Sequence, residues 1–553
     1  MRIERGARIA DHRLRWTALA AVLPLTALAL AAHFRIPVIL IDDAFITFRY
    51  AANWALGNGL VYNVSEAVLG TSTPGFALLL GLLAKLFGPE NIPEIARSIN
   101  AGAIIIAASA LGWIVWDKTR NVWVSLFMYA STLMGPNVLL ASVSGMESSV
   151  FLAALALIAC AWINRYSKTA ALLTGLMPLI RPEGVFVVGI VGAAVLLEVF
   201  RQKSINKRAI LRLIILAILA AAPGALWAVH AVRTYGSFVP QSIKAKMAGL
   251  YPIGIGGSIL SFSDWFQKGF TLTPLIDDGR TRVIFVGVLT FLIVFLITLV
   301  LIGFGVVSAL KKHRSAGAAA LWTVLLIVFF ATSGTIVFPH YHALYEPFAR
   351  VFWWLGLGGS IHAFLQRVRA ESLSVKSSHM IFVSTGLIAL LPTFILFPWA
   401  TMIDNSIHVS EVGWQSLKQQ RYYELAVALN PELHEGVTVL MPEIGELGFY
   451  LSKARVLDSA GLVSPEATQY FPLPAELAPG GIPPAMARNQ HPDLIIAAEA
   501  FLVSGLFADP WFLDNYSAVI IDDSHRTEGD MGLLYVFSRN DYLDGRNLKA
   551  PTP

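Results

Sequence analysis

The sequence predicts an α-helical polytopic membrane protein of about eleven transmembrane helices, followed by a soluble α/β domain. Three observations predict it. Of 553 residues, 56% are hydrophobic and only 14% charged, where a soluble chain carries about 25%. Mean hydropathy is +0.63, and apolar runs of about 20 residues, enough to cross a bilayer core, recur through the first three-quarters of the chain. After Trp399 the pattern changes to short apolar runs between polar stretches, with no segment long enough to span.

The N-terminus holds Arg2, Arg5, Arg8, Arg13 and Arg15, then a stretch from Trp16 to Ile41 whose only charged or imidazole members are His33 and Arg35. A signal peptide competes for this segment, because Ala29-Leu30-Ala31 resembles a cleavage site. The unbroken part from Trp16 to Ala32 is long for a signal core, and apolar character resumes through Ile36 to Ile41. An uncleaved span is therefore expected, with the basic tail cytoplasmic and Asp42 and Asp43 emerging on the outer face.

From Asp42 to about Arg97 the sequence is mixed. Phe45 to Leu56 has helical periodicity and stops at Gly57-Asn58-Gly59. Phe76 to Phe87 is apolar apart from Lys85 but short for a span, so it is expected to lie on or dip into the outer surface. Spans then follow near 97–116, 122–141, 148–163, 169–181, 184–200, 211–232, 283–308, 317–336, 350–365 and 379–402. The alternation is set by basic loops: Lys118 and Arg120; Arg165 and Lys168; Arg201, Lys203, Lys207 and Arg208; Lys311, Lys312 and Arg314; Arg367, Arg369 and Lys376. Placing these inside leaves the C-terminus outside. The expected division is a membrane part over 1–402, with an outer loop at 42–96, and an extracytoplasmic α/β domain over 403–553. Strands are expected at Gly436 to Met441, Arg455 to Asp458, Leu494 to Ala497, Ala518 to Ile521 and Leu533 to Phe537, with a short helix from Glu443 to Leu451.

The loops read as outer carry the chemistry. Asp42 and Asp43 are followed by Ser144-Gly145-Met146-Glu147, Arg181-Pro182-Glu183-Gly184, the pair Lys244 and Lys246, and Pro339-His340-Tyr341-His342. Ionised groups at a membrane boundary are costly and mark function by default. A structural reading stands beside this one: either aspartate caps the helix beginning at Ala44, or pairs with Arg49. Lys244 and Lys246 share a face on a strand but diverge on a helix. Glu183 is a pairing partner for Arg181, and Glu147 reads as a helix-start residue.

A carboxylate within reach can deprotonate an attacking hydroxyl, and Lys, Arg or His can stabilise charge on a phosphate leaving group. Two carboxylates can alternatively hold a divalent cation; no other cofactor is indicated. No Walker-type loop, His-Glu-x-x-His or Gly-x-Ser-x-Gly occurs. The net charge of +5 sits mainly in the loops between spans, with no basic, aromatic-interleaved surface for nucleic acid. The single cysteine, Cys160, excludes a disulfide or cysteine-based zinc framework within the chain.

Asp42-Asp43-Ala44-Phe45-Ile46-Thr47-Phe48-Arg49-Tyr50-Ala51 and Gly57-Asn58-Gly59-Leu60-Val61-Tyr62-Asn63 resemble the first outer loop of multi-span GT-C glycosyltransferases. Gly70-Thr71-Ser72-Thr73-Pro74, Ser144 to Glu147, Arg181 to Gly184 and Gly445-Glu446-Leu447-Gly448-Phe449-Tyr450 continue the resemblance in family order. Among these enzymes the chain resembles the terminal arabinofuranosyltransferase group of mycobacteria and its bacterial relatives. The resemblance implies a GT-C fold in a bacterial plasma membrane. It implies inverting transfer of a sugar from a polyprenyl-phosphate donor to an envelope glycan or glycolipid, with Asp42 or Asp43 as base. Gly70-Thr71-Ser72-Thr73 departs from the group's more usual glycine-tyrosine-serine or -threonine form, so the resemblance does not fix the sugar. A transporter or flippase of lipid-linked sugar is the rival class, though the charged groups gather at one face and no inverted repeat is visible. A non-catalytic envelope-assembly protein is the third.

Overall fold

The computed structural model describes residues 20–31, 33–34, 41–120, 122–200, 207–250, 254–270, 300–311, 316–334, 337, 339–356, 414–474, 477, 480–524 and 531–543. Among them, Pro89–Thr119 and Lys207–Tyr235 are each long and apolar enough to cross a membrane, and a bent pair, Val122–Leu133 with Asn137–Val143, makes a third. Shorter apolar helices include Ala20–Ala31, Pro74–Phe87, Ser148–Ile163, Ser167–Ile180, Gly184–Phe200, Val300–Lys311 and Ala316–Ala331. The expected span near 379–402 lies outside the described residues, as does most of the one near 283–308.

The span expected over 122–141 is instead broken, with a 48° bend. Pro136 has no N–H to continue the helical ladder, so the helix stops before it and a new one starts there. Arg350 closes the gap by donating to the Ser131 carbonyl. The Gly135-Pro136 dipeptide carried this signal in the sequence.

The first helix packs into the main helical core through Ala29. It is fixed further by a 2.6 Å hydrogen bond between Thr26 and Tyr129. His33 continues the attachment, bonding Ser142 at 3.0 Å and the Arg97 carbonyl at 3.2 Å. The Pro74–Phe87 helix buries Phe76, Ala77, Leu80 and Ala84 while Leu82, Leu86 and Phe87 are exposed. One face thus packs on protein while the other remains apolar and open.

The C-terminal part is a five-stranded sheet of order β2-β1-β3-β5-β4. Its strands are β1 (Thr438–Met441), β2 (Arg455–Asp458), β3 (Leu494–Ala498), β4 (Tyr516–Asp522) and β5 (Leu534–Arg539). The first three pair in parallel, and β5 runs antiparallel to both β3 and β4. Every residue of β3 is buried, as a central strand covered on both faces requires. All five expected strands are present, and the expected short helix is Glu446–Tyr450.

The segment 42–96 and the sheet share one apolar core, in which Ile46, Tyr50, Leu60 and Tyr62 pack with Leu447, Val456 and Val463. Polar contacts lock the same seam. Arg49 donates to the carbonyls of Tyr62 (2.9 Å), Ala454 (2.7 Å) and Gly448. Asn63 exchanges bonds of 2.9 and 3.0 Å with the Val456 backbone. Glu66 pairs with Arg455 at 2.5 Å. A Cβ on Gly448 would strike the Tyr62 hydroxyl, and one on Gly445 the Asp42 backbone, so glycine permits the close approach at both positions.

Candidate active site

The helix carrying the aspartates spans Asp42–Ala55, with Ile41 as N-cap and no side-chain capping bond. This corrects the expectation that either aspartate caps its own helix. The expected ion pair with Arg49 is not formed either, because that guanidinium is occupied by backbone carbonyls across the seam. Successive helical residues point about 100° apart, so the two carboxylates separate.

Asp42 turns to the C-terminal domain. Its two oxygens accept from the N–H groups of Gly445 and Glu446, each at 2.9 Å, and so cap the Glu446–Tyr450 helix in trans. Burial, with Glu443 nearby, pushes the Asp42 carboxyl up to about 6. Glu446 itself is buried beside it, and burial together with Asp42 raises its carboxyl to about 9. Lys418 forms an ion pair with Glu443, which also accepts from the Tyr422 hydroxyl. The carboxylates of Asp42 and Asp43 also stabilise the charge on Lys418.

Asp43 is exposed, and its charge acts on Lys246 and Glu147. The loop before Glu147 is held against it by the Ile41 N–H, which donates to the Ser144 carbonyl at 3.0 Å. Lys246 sits on the Gln241–Met247 helix, pinned by a 2.6 Å bond from the Gln241 N–H to the Leu69 carbonyl. As a residue Lys246 is exposed. Tyr341, then Asp43 and Glu183, favour its charged form against burial and Arg181. Lys244 lies two residues away on the same helix, directed elsewhere, and forms no ion pair among the described residues.

Arg181 is buried and fully engaged. It bonds Glu147 at 2.5 Å, Glu183 at 3.0 and 3.1 Å, and the Ser148 hydroxyl at 2.9 Å. Its guanidinium also lies 5.3 Å from the Tyr341 ring centre. Burial raises Glu147, while at Glu183 burial is outweighed by Arg181 and the carboxyl is held low. Glu147 is the N-cap of the Ser148–Ile163 helix, the helix-start position expected for it, and its pairing with Arg181 spans 34 positions and leaves no local signal.

His340 is buried beside this network, and burial with the Arg181 and Lys246 charges keeps its imidazole neutral. His342 points away into the apolar core. Its Nδ1 bonds the Tyr345 hydroxyl at 2.7 Å and its ring packs 4.9 Å from Phe262. Among the described residues, no three His, Cys, Asp or Glu converge as a metal site. The arrangement is therefore two exposed residues, Asp43 and Lys246, flanked by a neutral imidazole and a buried Glu147-Arg181-Glu183 network.

In fold, the helices and sheet together are similar to ArnT from Cupriavidus metallidurans, seen in two crystal structures. The one bound to undecaprenyl phosphate has a TM-score of 0.57 at 13% identity, covering 95% of this chain and 99% of that one. The apo structure has a TM-score of 0.54 at 12% identity with the same coverage. Residues 410–542 match a family described as a domain of unknown function, DUF8728. No curated protein matches by sequence.

Proposed function

We propose that this chain is an inverting glycosyltransferase of the bacterial plasma membrane. It transfers a sugar from a polyprenyl-phosphate donor to an envelope glycan or glycolipid on the outer face. The observation that carries the reading is that Asp43 and Lys246, both exposed residues, lie within electrostatic reach of each other. The ArnT-like fold and the undecaprenyl phosphate bound by that neighbour support it.

In this reading Asp43 takes the proton of the acceptor hydroxyl, whose oxygen attacks the anomeric carbon. The bond from that carbon to the phosphate oxygen breaks, and its electron pair leaves with the polyprenyl phosphate. Lys246 offsets the charge on that phosphate. Arg181 and neutral His340 shape the wall behind it. Asp42 holds the C-terminal domain rather than reacting. The N-terminus is cytoplasmic, the sheet domain over 403–553 is extracytoplasmic, and about eleven spans lie between.

The sequence resemblance makes arabinofuranose the first donor to test. Purified protein would be incubated with a panel of polyprenyl-phosphate sugars and envelope glycan extract, and product followed by mass spectrometry. Transfer should fall by at least about 100-fold in Asp43→Asn, the range of a lost general base, and persist in Asp42→Asn. Transfer unaffected in Asp43→Asn would remove this mechanism. Sugar-lipid movement across reconstituted vesicles without transfer would favour the flippase instead.

A further inference from the structure

At the other ends of the helices that meet Glu147 and Arg181 lies a cavity of about 1160 Å³. The helix Ser148–Ile163 starts beside Glu147 and ends at this cavity. Its 16 residues span about 24 Å at 1.5 Å per residue. The helix Ser167–Ile180 starts at the cavity and ends at Arg181, and Gly184–Phe200 returns to it. Most of a bilayer core therefore separates this cavity from Asp43, and it belongs to the opposite leaflet.

Its lining is divided chemically. Among the described residues, Lys118, Arg165, Arg208 and Arg212 supply cations, whereas Asp117 and Glu198 are its acidic residues. Lys118 pairs with Asp117 at 2.7 Å, and Arg212 donates to the Ser167 hydroxyl at 2.7 Å. Arg165 and Arg208 are exposed and form no ion pair among the described residues. The walls are aliphatic, built by Leu213, Leu216, Leu310 and Leu321 from three different helices.

We infer that this cavity binds an anionic glycerophospholipid of that leaflet, with Arg165 and Arg208 on the phosphate and the leucines against the acyl chains. Basic pockets between membrane helices recognise such head groups, and guanidinium forks match phosphate geometry. A soluble anion would leave the aliphatic wall unused. A neutral lipid would leave the excess of positive charge unanswered. The inference is independent of the transfer mechanism at Asp43.

The test is native mass spectrometry of the full chain in mild detergent, supplied with phosphatidylglycerol, phosphatidylcholine or inorganic phosphate. Wild type should retain phosphatidylglycerol at least about 10-fold better than phosphatidylcholine, the factor given by 1.4 kcal/mol of preference. Arg165→Gln with Arg208→Gln should abolish that preference, and Leu213→Trp should expel the lipid with both arginines intact. Either variant serves if the other fails to fold. Equal retention of the two lipids, unchanged preference in the double variant, or displacement by inorganic phosphate would overturn the inference.

Discussion

Replacing Asp42 by asparagine tests whether the two adjacent aspartates do different work. The amide keeps the shape of the carboxyl group and one acceptor for the Gly445 and Glu446 N–H groups, but cannot ionise. In wild type the ordinary value of 3.8 is pushed up to about 6, chiefly by burial. At 1.36 kcal/mol per pH unit this corresponds to about 3 kcal/mol of stability. The folded-state value is the raised one, so that stability is fully present below pH about 4 and is lost as pH rises through about 6. Asparagine, resembling the protonated group, should escape the loss.

Relative to wild type, the Asp42→Asn melt should therefore rise by several degrees between pH 4 and pH 7.5, since 1 kcal/mol moves a domain melt by about 2–4 °C. Thermal melting in detergent across that pH range, with sugar transfer measured on the same samples, reads both halves. A difference between the Asp42→Asn and wild-type melts that does not change between pH 4 and pH 7.5 would refute the assignment of Asp42 as a half-buried docking group.

Glu446→Gln should flatten stability at alkaline pH, because the wild-type group rises to about 9 and its contribution is lost on the way there; melting from pH 6 to 9.5 checks it. Arg181→Gln strands the buried Glu147 and Glu183 carboxylates and should cost about 3–5 kcal/mol, seen as loss of folded protein on size exclusion. Lys246→Gln should lower kcat/KM about 100-fold, and Lys244→Gln should leave it near wild type, by steady-state transfer assay. Gly448→Ala sets a methyl against the Tyr62 hydroxyl and should destabilise the domain seam by about 1–3 kcal/mol, measured as faster hydrogen exchange in β1 and β2.

The parts legible in the sequence are those with local causes. Five strands were readable because runs such as Leu494-Ile495-Ile496-Ala497 are short, apolar and bounded by polar residues. The divergence of Lys244 and Lys246 followed from helical periodicity once the segment was helical. Partner choice was not legible. Nothing near Asp42 announces a bond to N–H groups 403 and 404 positions away, and Arg49 looked available until its carbonyl acceptors were brought to it. Lys418 and Glu443, in a segment with no membrane character, reach the aspartates only through domain docking.

That docking gives the second aspartate a physical purpose. Asp42 and Asp43 are consecutive on one rigid helical turn, so the bond that fixes Asp42 to Gly445 and Glu446 also fixes the direction of Asp43. A base displaced by about 1 Å can lose a factor of about 100 in rate, and the flanking contacts of Arg49, Tyr62 and Asn63 oppose such a displacement. A non-catalytic scaffold would need the seam but would be indifferent to where Asp43 points. Shifting the seam while preserving both carboxylates therefore separates the two classes. If Gly445→Ala leaves the fold intact, transfer should fall with acceptor affinity little changed, whereas a scaffold would lose assembly only in proportion to lost protein.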